Sequence, residues 1–205
     1  MQINTSFKDF QKRHVKKLHQ ILFKSFNSLS IDKNILEVFK IVIGSLTIGL
    51  LAQLSIPVPF SPVPITGQTI GVVLVGSLLG SKKGALCIIL YLMEGSLGLP
   101  VFANMSAGAH VLIGPTGGYL WGFIMGAVIM GYSREKNLIS SFFNCFLACF
   151  VSTATIILIG TFYLSFFVGD INKALMLGLY PFLVGDVVKS FTCAAIIQGS
   201  KRVFS

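Results

Sequence analysis

Apolar residues along this chain gather into six runs, at 38–54, 65–80, 84–102, 118–132, 138–168 and 181–199, parted by short polar or glycine- and proline-rich breaks. Each run reads as a membrane-crossing helix, since a hydrocarbon core of roughly 30 Å and a rise of roughly 1.5 Å per residue call for about 20 residues. An all-α polytopic membrane protein with six transmembrane helices is predicted. The second and fourth runs are short for a full span, so the loops beside them are expected to dip into the membrane where protein covers their backbone. The fifth is long, which predicts either a tilt or a break near Gly160.

Ahead of the first run, residues 1–34 carry Phe7, Phe10, Leu18, Ile21, Leu22, Phe26 and Leu29 at roughly helical spacing, with Lys8, Lys12, Arg13, Lys16, Lys17 and Lys24 between them. Two readings stand. The segment is a basic amphipathic helix suited to an anionic lipid surface, or a basic tail that only sets orientation. No continuous apolar core precedes residue 38, so the first run is expected to be an uncleaved span rather than a leader. The chain then divides into a tail at 1–34 and a membrane domain at 35–205.

Lysine and arginine fix the orientation. Fourteen of the sixteen lie in the tail through Lys40, at Lys82 and Lys83, at Arg134 and Lys136, and at Lys201 and Arg202, all on one side of the six-run pattern. The positive-inside rule therefore puts both termini in the cytoplasm. The formal net charge of +9 would suit a nucleic-acid partner, but these residues sit in short blocks beside apolar runs, so none is expected. A hydrophobic fraction of 54% with only 11% charged residues excludes an ordinary soluble domain. Cys87, Cys145, Cys149 and Cys193 all fall inside apolar runs and read as small packing residues rather than metal ligands or disulfides.

With this topology two outer loops are nearly free of charge. The first, SIPVPFSPVP at 55–64, holds four of the seven prolines and should form a rigid lid. The second, ANMSAGAHVLIGPTGG at 103–118, is rich in glycine and small residues that allow tight turns and close backbone approach. Ordinary turn chemistry between helices is the plainer reading of both, and His110 there reads as a solvated polar residue.

Asp186 and Lys189 stand three residues apart in the last apolar run, one helical turn from each other. A charge near the bilayer centre costs roughly 2.5–3.5 kcal/mol on insertion scales, so it persists when paired or when it has a task. The pair either neutralises itself and locks the helix, or clasps a polar ligand. Asn104 lies beyond the third run on the outer side and would join them around a molecule with N–H donors and a carboxylate. Glu94, inside the third run, reads equally as a ligand contact and as a hydrogen-bonding link to a neighbouring helix.

IPVPFSPVPITGQTIGVVLVGSLLG at 56–80, YLMEGSLGLPVFA at 91–103, GPTGGYLWGF at 114–123 and YPFLVGDVVK at 180–189 together resemble the BioY family. These are biotin-specific substrate-binding (S) subunits of bacterial energy-coupling-factor (ECF) transporters. The resemblance implies a six-helix ECF S-component-like bundle in the bacterial inner (cell) membrane, surrounded by lipid, that captures biotin from outside. It implies partners as well: a transmembrane coupling subunit and two ATPase subunits. Under it, Asp186 accepts from the ureido N–H groups, Lys189 meets the ligand's polar end, and Asn104 matches a polar residue that touches the ureido ring. It also places the docking of the coupling subunit on a small-residue stripe of the first helix, for which the nearest match is Ser45 with Gly49, then Ala52. Biotin would be cargo rather than a cofactor, and no cofactor is expected. No G-x-x-x-x-G-K-[ST] phosphate loop is present, which agrees with energy supplied elsewhere. The rival readings are an S component or gradient-driven carrier for another small vitamin, and a membrane enzyme using Glu94, Asp186 and Lys189, which no HExxH, nucleophile elbow or acidic metal motif supports.

Overall fold

The computed structural model describes residues 32–203, with side chains to residue 200, so the tail before Asp32 lies outside the described residues. The helices are α1 (Lys33–Ala52), α2 (Gln68–Leu79), α3 (Ser81–Ser96), α4 (Ala109–Ile113), α5 (Gly117–Glu135), α6 (Phe142–Val168), α7 (Ile171–Gly178) and α8 (Tyr180–Val203). Two short strands, β1 (Ser55–Ile56) and β2 (Ile65–Thr66), and a 3₁₀ turn at Ala103–Met105 complete the described chain. The described residues divide after Phe39 into two units. In the first, the Asp32 carboxylate accepts the Asn34 N–H at 3.2 Å, satisfying an amide at the start of α1. Apart from the start of α1, the features below belong to the second.

The six apolar runs fall on α1, α2, α3, α5, α6 and α8. Lys33–Ala52, Phe142–Val168 and Tyr180–Ser200 are each long and apolar enough to cross a membrane by length and composition. The fold is helical and membrane-spanning, as its pattern predicts. Its flanks carry bare aliphatic and aromatic side chains, such as Leu50, Phe166 and Val184, each more than 70% exposed, which in a bilayer meet lipid tails.

α6 shows why the long run holds together. Ser141 caps its first turn by accepting the Asn144 N–H at 3.2 Å, and Gly169, at φ +70°, ends it in the left-handed conformation that glycine adopts without strain. Its 27 residues extend about 40 Å, more than the hydrocarbon thickness, so it tilts or protrudes. The alternative of a break at Gly160 is corrected: the helix continues through it, and the missing side chain makes a slot for the Tyr119 ring of α5. α5 meets α6 along a second gap. Gly118, Gly122 and Gly126 recur every four residues, and a Cβ on Gly122 would stand 3.2 Å from the Ile156 backbone. Without a hydrophobic drive inside lipid, such close backbone approach is a main source of helix association.

The lysine-rich end is clasped by charge. At the α2–α3 turn the Ser81 amide and hydroxyl donate to Glu135 Oε1 at 2.7 and 2.9 Å, while Arg134 donates to the Leu78 carbonyl at 2.5 Å. A carboxylate thus meets a helix start and a guanidinium a helix end, the favourable sense for both dipoles. The Ser81 amide, foremost, holds the Glu135 carboxyl below its ordinary value.

At the opposite end the proline-rich segment closes a small hairpin. Ser55 pairs with Thr66 and Ile56 with Ile65, antiparallel, and at its tip the Ser61 hydroxyl donates to the Leu177 carbonyl of α7 at 2.7 Å. Beneath it, Val63, Tyr119, Leu164 and Phe182 form one apolar cluster. Cys145, Cys149 and Cys193 pack in another, deeper between α6 and α8; all four cysteines are buried and none is in a disulfide. On α1, Ser45, Gly49 and Ala52 are buried within the chain. The small-residue stripe that the resemblance offered for docking therefore faces the bundle, where Gly49 leaves room for Val101; the exposed side of α1 carries Leu46 and Leu50.

Candidate functional site

A cavity of about 270 Å³ lies under the hairpin, away from the lysine-bearing turn of α2–α3. That is near the low end of the roughly 300–1,000 Å³ typical of small-molecule sites. Its wall is assembled from the start of α2, the Ala103–Met105 turn, the first turns of α5, the middle of α6 and the N-terminal half of α8. Most of the lining is apolar, with Phe102, Phe123, Ile156 and Phe182 prominent, and the polar groups enter at a few points.

Asp186 and Lys189 both reach this wall from α8. Asp186 is 3% exposed, beside the Thr153 hydroxyl of α6, and each of the two charges feels the other. A carboxylate with acceptor capacity and an ammonium with three donors thus stand one turn apart in an apolar enclosure, where charge-assisted hydrogen bonds are strong.

Asn104 arrives by a different route. Its backbone adopts φ 55° and ψ 39°, a left-handed conformation that asparagine tolerates better than most residues, and Met105 follows at φ 56°. The turn is braced from α1: Gln53 donates to the Gly49 and Phe102 carbonyls at 3.0 and 3.1 Å and accepts the Met105 N–H at 3.0 Å. The Asn104 side-chain oxygen accepts the Ser55 hydroxyl at 2.7 Å, which ties the 103–118 loop to the hairpin at the cavity rim.

Glu94 is not part of this wall. Its Oε1 accepts the Ser45 hydroxyl of α1 at 2.9 Å, and its Oε2 is buried without a hydrogen-bond partner. Of the two readings open in the sequence, the structure places the residue in the helix–helix link, because its side of α3 faces α1. Its reading as a ligand contact draws no support from the lining of this cavity. His110 is exposed on α4.

Sequence reasoning missed a buried polar relay beside the cavity. Thr66 donates to Gln68 Oε1 at 3.0 Å, Gln68 Nε2 donates to the Tyr91 hydroxyl at 2.5 Å, and Tyr91 donates to the Val101 carbonyl at 3.0 Å. It links the second strand of the hairpin to the backbone just ahead of the Asn104 turn. A glutamine within the second apolar run was the available signal, since a buried amide needs partners on both ends. Tyr119 was missed too: it lines the cavity and donates to the Gly178 carbonyl at 2.9 Å, with Thr161 3.3 Å away.

Comparison with known proteins places this geometry. A sequence profile for the BioY family matches residues 24–205. The biotin transporter BioY of Thermotoga maritima is 44% identical over 149 residues, covering 72% of this chain and 86% of that protein. The probable biotin transporter BioY of Pyrococcus horikoshii is 41% identical over 147 residues, covering 72% and 85%. Among solved structures, the S-component for biotin from an ECF-type ABC transporter superposes with a TM-score of 0.76 over 85% of this chain and 95% of that one, at 24% identity, and so shares the fold. A profile match from the end of the tail to the last residue, relatives above 40% identity and a common architecture converge on one kinship: this chain belongs to the BioY family.

Proposed function

We propose that this multi-pass membrane protein is the biotin-binding S component of an ECF transporter, taking biotin at the outer face and delivering it through a coupling subunit powered by partner ATPases. The observation that supports this best is the joint placement of Asp186 and Lys189 on one mostly apolar cavity wall beneath the hairpin. Biotin combines two ureido N–H donors, an acceptor oxygen between them, an apolar thioether ring and a carboxylate. Asp186 accepts from the N–H groups, Lys189 meets the carboxylate or carbonyl end, and the Asn104 amide donates at the ureido edge. Phe123, Ile156 and Phe182 enclose the ring. The chain binds and hands over its cargo without covalent chemistry; it is not an enzyme, and it needs no cofactor of its own.

The hairpin acts as the cover. Proline stiffens it, and the Ser61–Leu177 hydrogen bond latches its tip to α7. Presentation of the cargo inward is the work of the coupling subunit and ATPases, the division of labour that the family resemblance implies.

Equilibrium binding of biotin to detergent-purified protein tests the reading. Asp186→Asn removes the charge of the acceptor and should weaken binding by roughly 1.5–3 kcal/mol, about 10- to 150-fold. Desthiobiotin, which keeps the ureido ring, should compete, and lipoate, which lacks it, should not. Unchanged affinity in the variant, or lipoate competing as well as desthiobiotin, would count against the assignment.

A further inference from the structure

Thr69, the second residue of α2, lies on the cavity wall, and its hydroxyl oxygen is buried without a hydrogen-bond partner. Threonines in membrane helices ordinarily return the hydroxyl to a carbonyl three or four residues back. This chain does so repeatedly: Thr47 donates to Ile43 at 2.7 Å, Thr153 to Cys149 at 3.0 Å, Thr155 to Val151 at 2.7 Å and Thr192 to Val188 at 2.8 Å. Thr69 has no such recourse. Three and four residues before it stand Thr66 and Ile65, in β2 rather than in a helix, so no helical carbonyl lies beneath its side chain.

The polar relay that starts beside it is already committed. Gln68 is engaged at both ends by Thr66 and Tyr91, and Tyr91 spends its own proton on Val101. The wall at the start of α2 therefore carries one hydroxyl donor that no protein acceptor uses. A valine of the same shape would avoid the cost of burying that hydroxyl unpaired.

We propose that Thr69 is a specificity-determining residue of this site, whose hydroxyl donates to the ureido oxygen of the bound ligand. It complements Asp186: the carboxylate takes the N–H groups, and the hydroxyl takes the oxygen between them. The proposal rests on the biotin reading above.

The test uses the full chain in detergent, with three variants and two measurements. Thr69→Val should weaken biotin binding by roughly 5- to 100-fold, since a buried ligand oxygen loses its donor. Without ligand the same variant should unfold at the wild-type midpoint or above it, because an orphaned polar atom has been removed. Thr69→Ser should keep most of the affinity. Thr69→Ala, which removes hydroxyl and methyl together, should bind no better than Thr69→Val. A biotin analogue with a methyl group in place of the tail carboxylate leaves the ureido oxygen as the one oxygen acceptor on the ligand, and with it the Thr69→Val loss should persist. The proposal is overturned, with the function left standing, if wild-type protein binds biotin and Thr69→Val binds within twofold of it. It is equally overturned if the ligand-free variant is destabilised, which would make the hydroxyl structural, or if the loss vanishes with the methyl-tailed analogue. Wild-type protein that fails to bind biotin overturns this proposal and the functional reading together.

Discussion

Gly160→Ala would drive a methyl group into the Tyr119 ring. An ideal Cβ on Gly160 falls 2.2 Å from Cδ1, 2.3 Å from Cγ and 2.5 Å from Cδ2 of that ring. Carbon atoms in unstrained contact sit roughly 3.5–4.0 Å apart, so the ring must retreat by about 1.3 Å or more. Its hydroxyl resists, because it donates to the Gly178 carbonyl at 2.9 Å, and a shift of that size takes the pair beyond hydrogen-bond range. Overpacking costs about 1–3 kcal/mol, the lost hydrogen bond about 0.5–1.5 kcal/mol, and alanine regains about 1 kcal/mol of helix propensity over glycine. The net expectation is a destabilisation of about 1–3 kcal/mol. Because Tyr119 lines the cavity, the displaced ring also intrudes on the ligand, and biotin affinity should fall in parallel. Thermal unfolding of purified protein measures the first effect and equilibrium binding the second. Gly199→Ala is the matched control, since nothing lies within 4 Å of its added Cβ, and it should be neutral or stabilising by up to about 1 kcal/mol. If Gly160→Ala unfolds at the same midpoint as Gly199→Ala and binds biotin normally, the slot argument is refuted.

Glu94→Gln keeps an acceptor for the Ser45 hydroxyl and lies off the cavity wall, so biotin affinity should stay within twofold of wild type; a tenfold loss would return Glu94 to the ligand site. Glu135→Gln probes the clasp at the other end. Ser81 favours the charged carboxylate, so the folded-state pKa of Glu135 lies below its ordinary value of 4.5, and its contribution is complete above that value and fades as pH falls through the lower folded one. Wild type should exceed the variant in stability at about pH 7 and converge with it near about pH 3; a difference independent of pH would show that the charge is idle.

The helices were legible because a bilayer imposes both length and apolarity on whatever crosses it: the six runs land on the six longer helices, three of which are long and apolar enough to cross a membrane by length and composition. The lysine blocks predict an orientation on the same kind of ground, the positive-inside rule. What the pattern could not show is what lies between the spans. β1 and β2 are two residues each, too short for any alternation to register, and the hairpin is set by proline stiffness and by contacts at its tip with Leu177 and at its base with Asn104. The left-handed turn at Asn104 and the slot at Gly160 are likewise tertiary facts. A glycine in a long apolar run is compatible with a break or with a neighbour's ring, and only the position of Tyr119 on another helix decides.

The two intramembrane carboxylates show where sequence reasoning about charge stops. Burial cost says that each must point inward, and both do. In a soluble helix the polar face would then say which inward direction, but a membrane helix is apolar on all sides, so periodicity carries no such label. A bundle also has two kinds of interior, the seam between helices and the cavity. Glu94 lies in a seam because α1 offers it a hydroxyl at Ser45, a residue small enough to let the helices approach. Asp186 has Lys189 one turn away on the same wall, and the space before them is open rather than filled by a helix. Both carboxylates meet a hydroxyl on a facing helix, Ser45 for Glu94 and Thr153 for Asp186, so what separates them is that Asp186 and Lys189 also line an open cavity and Glu94 does not.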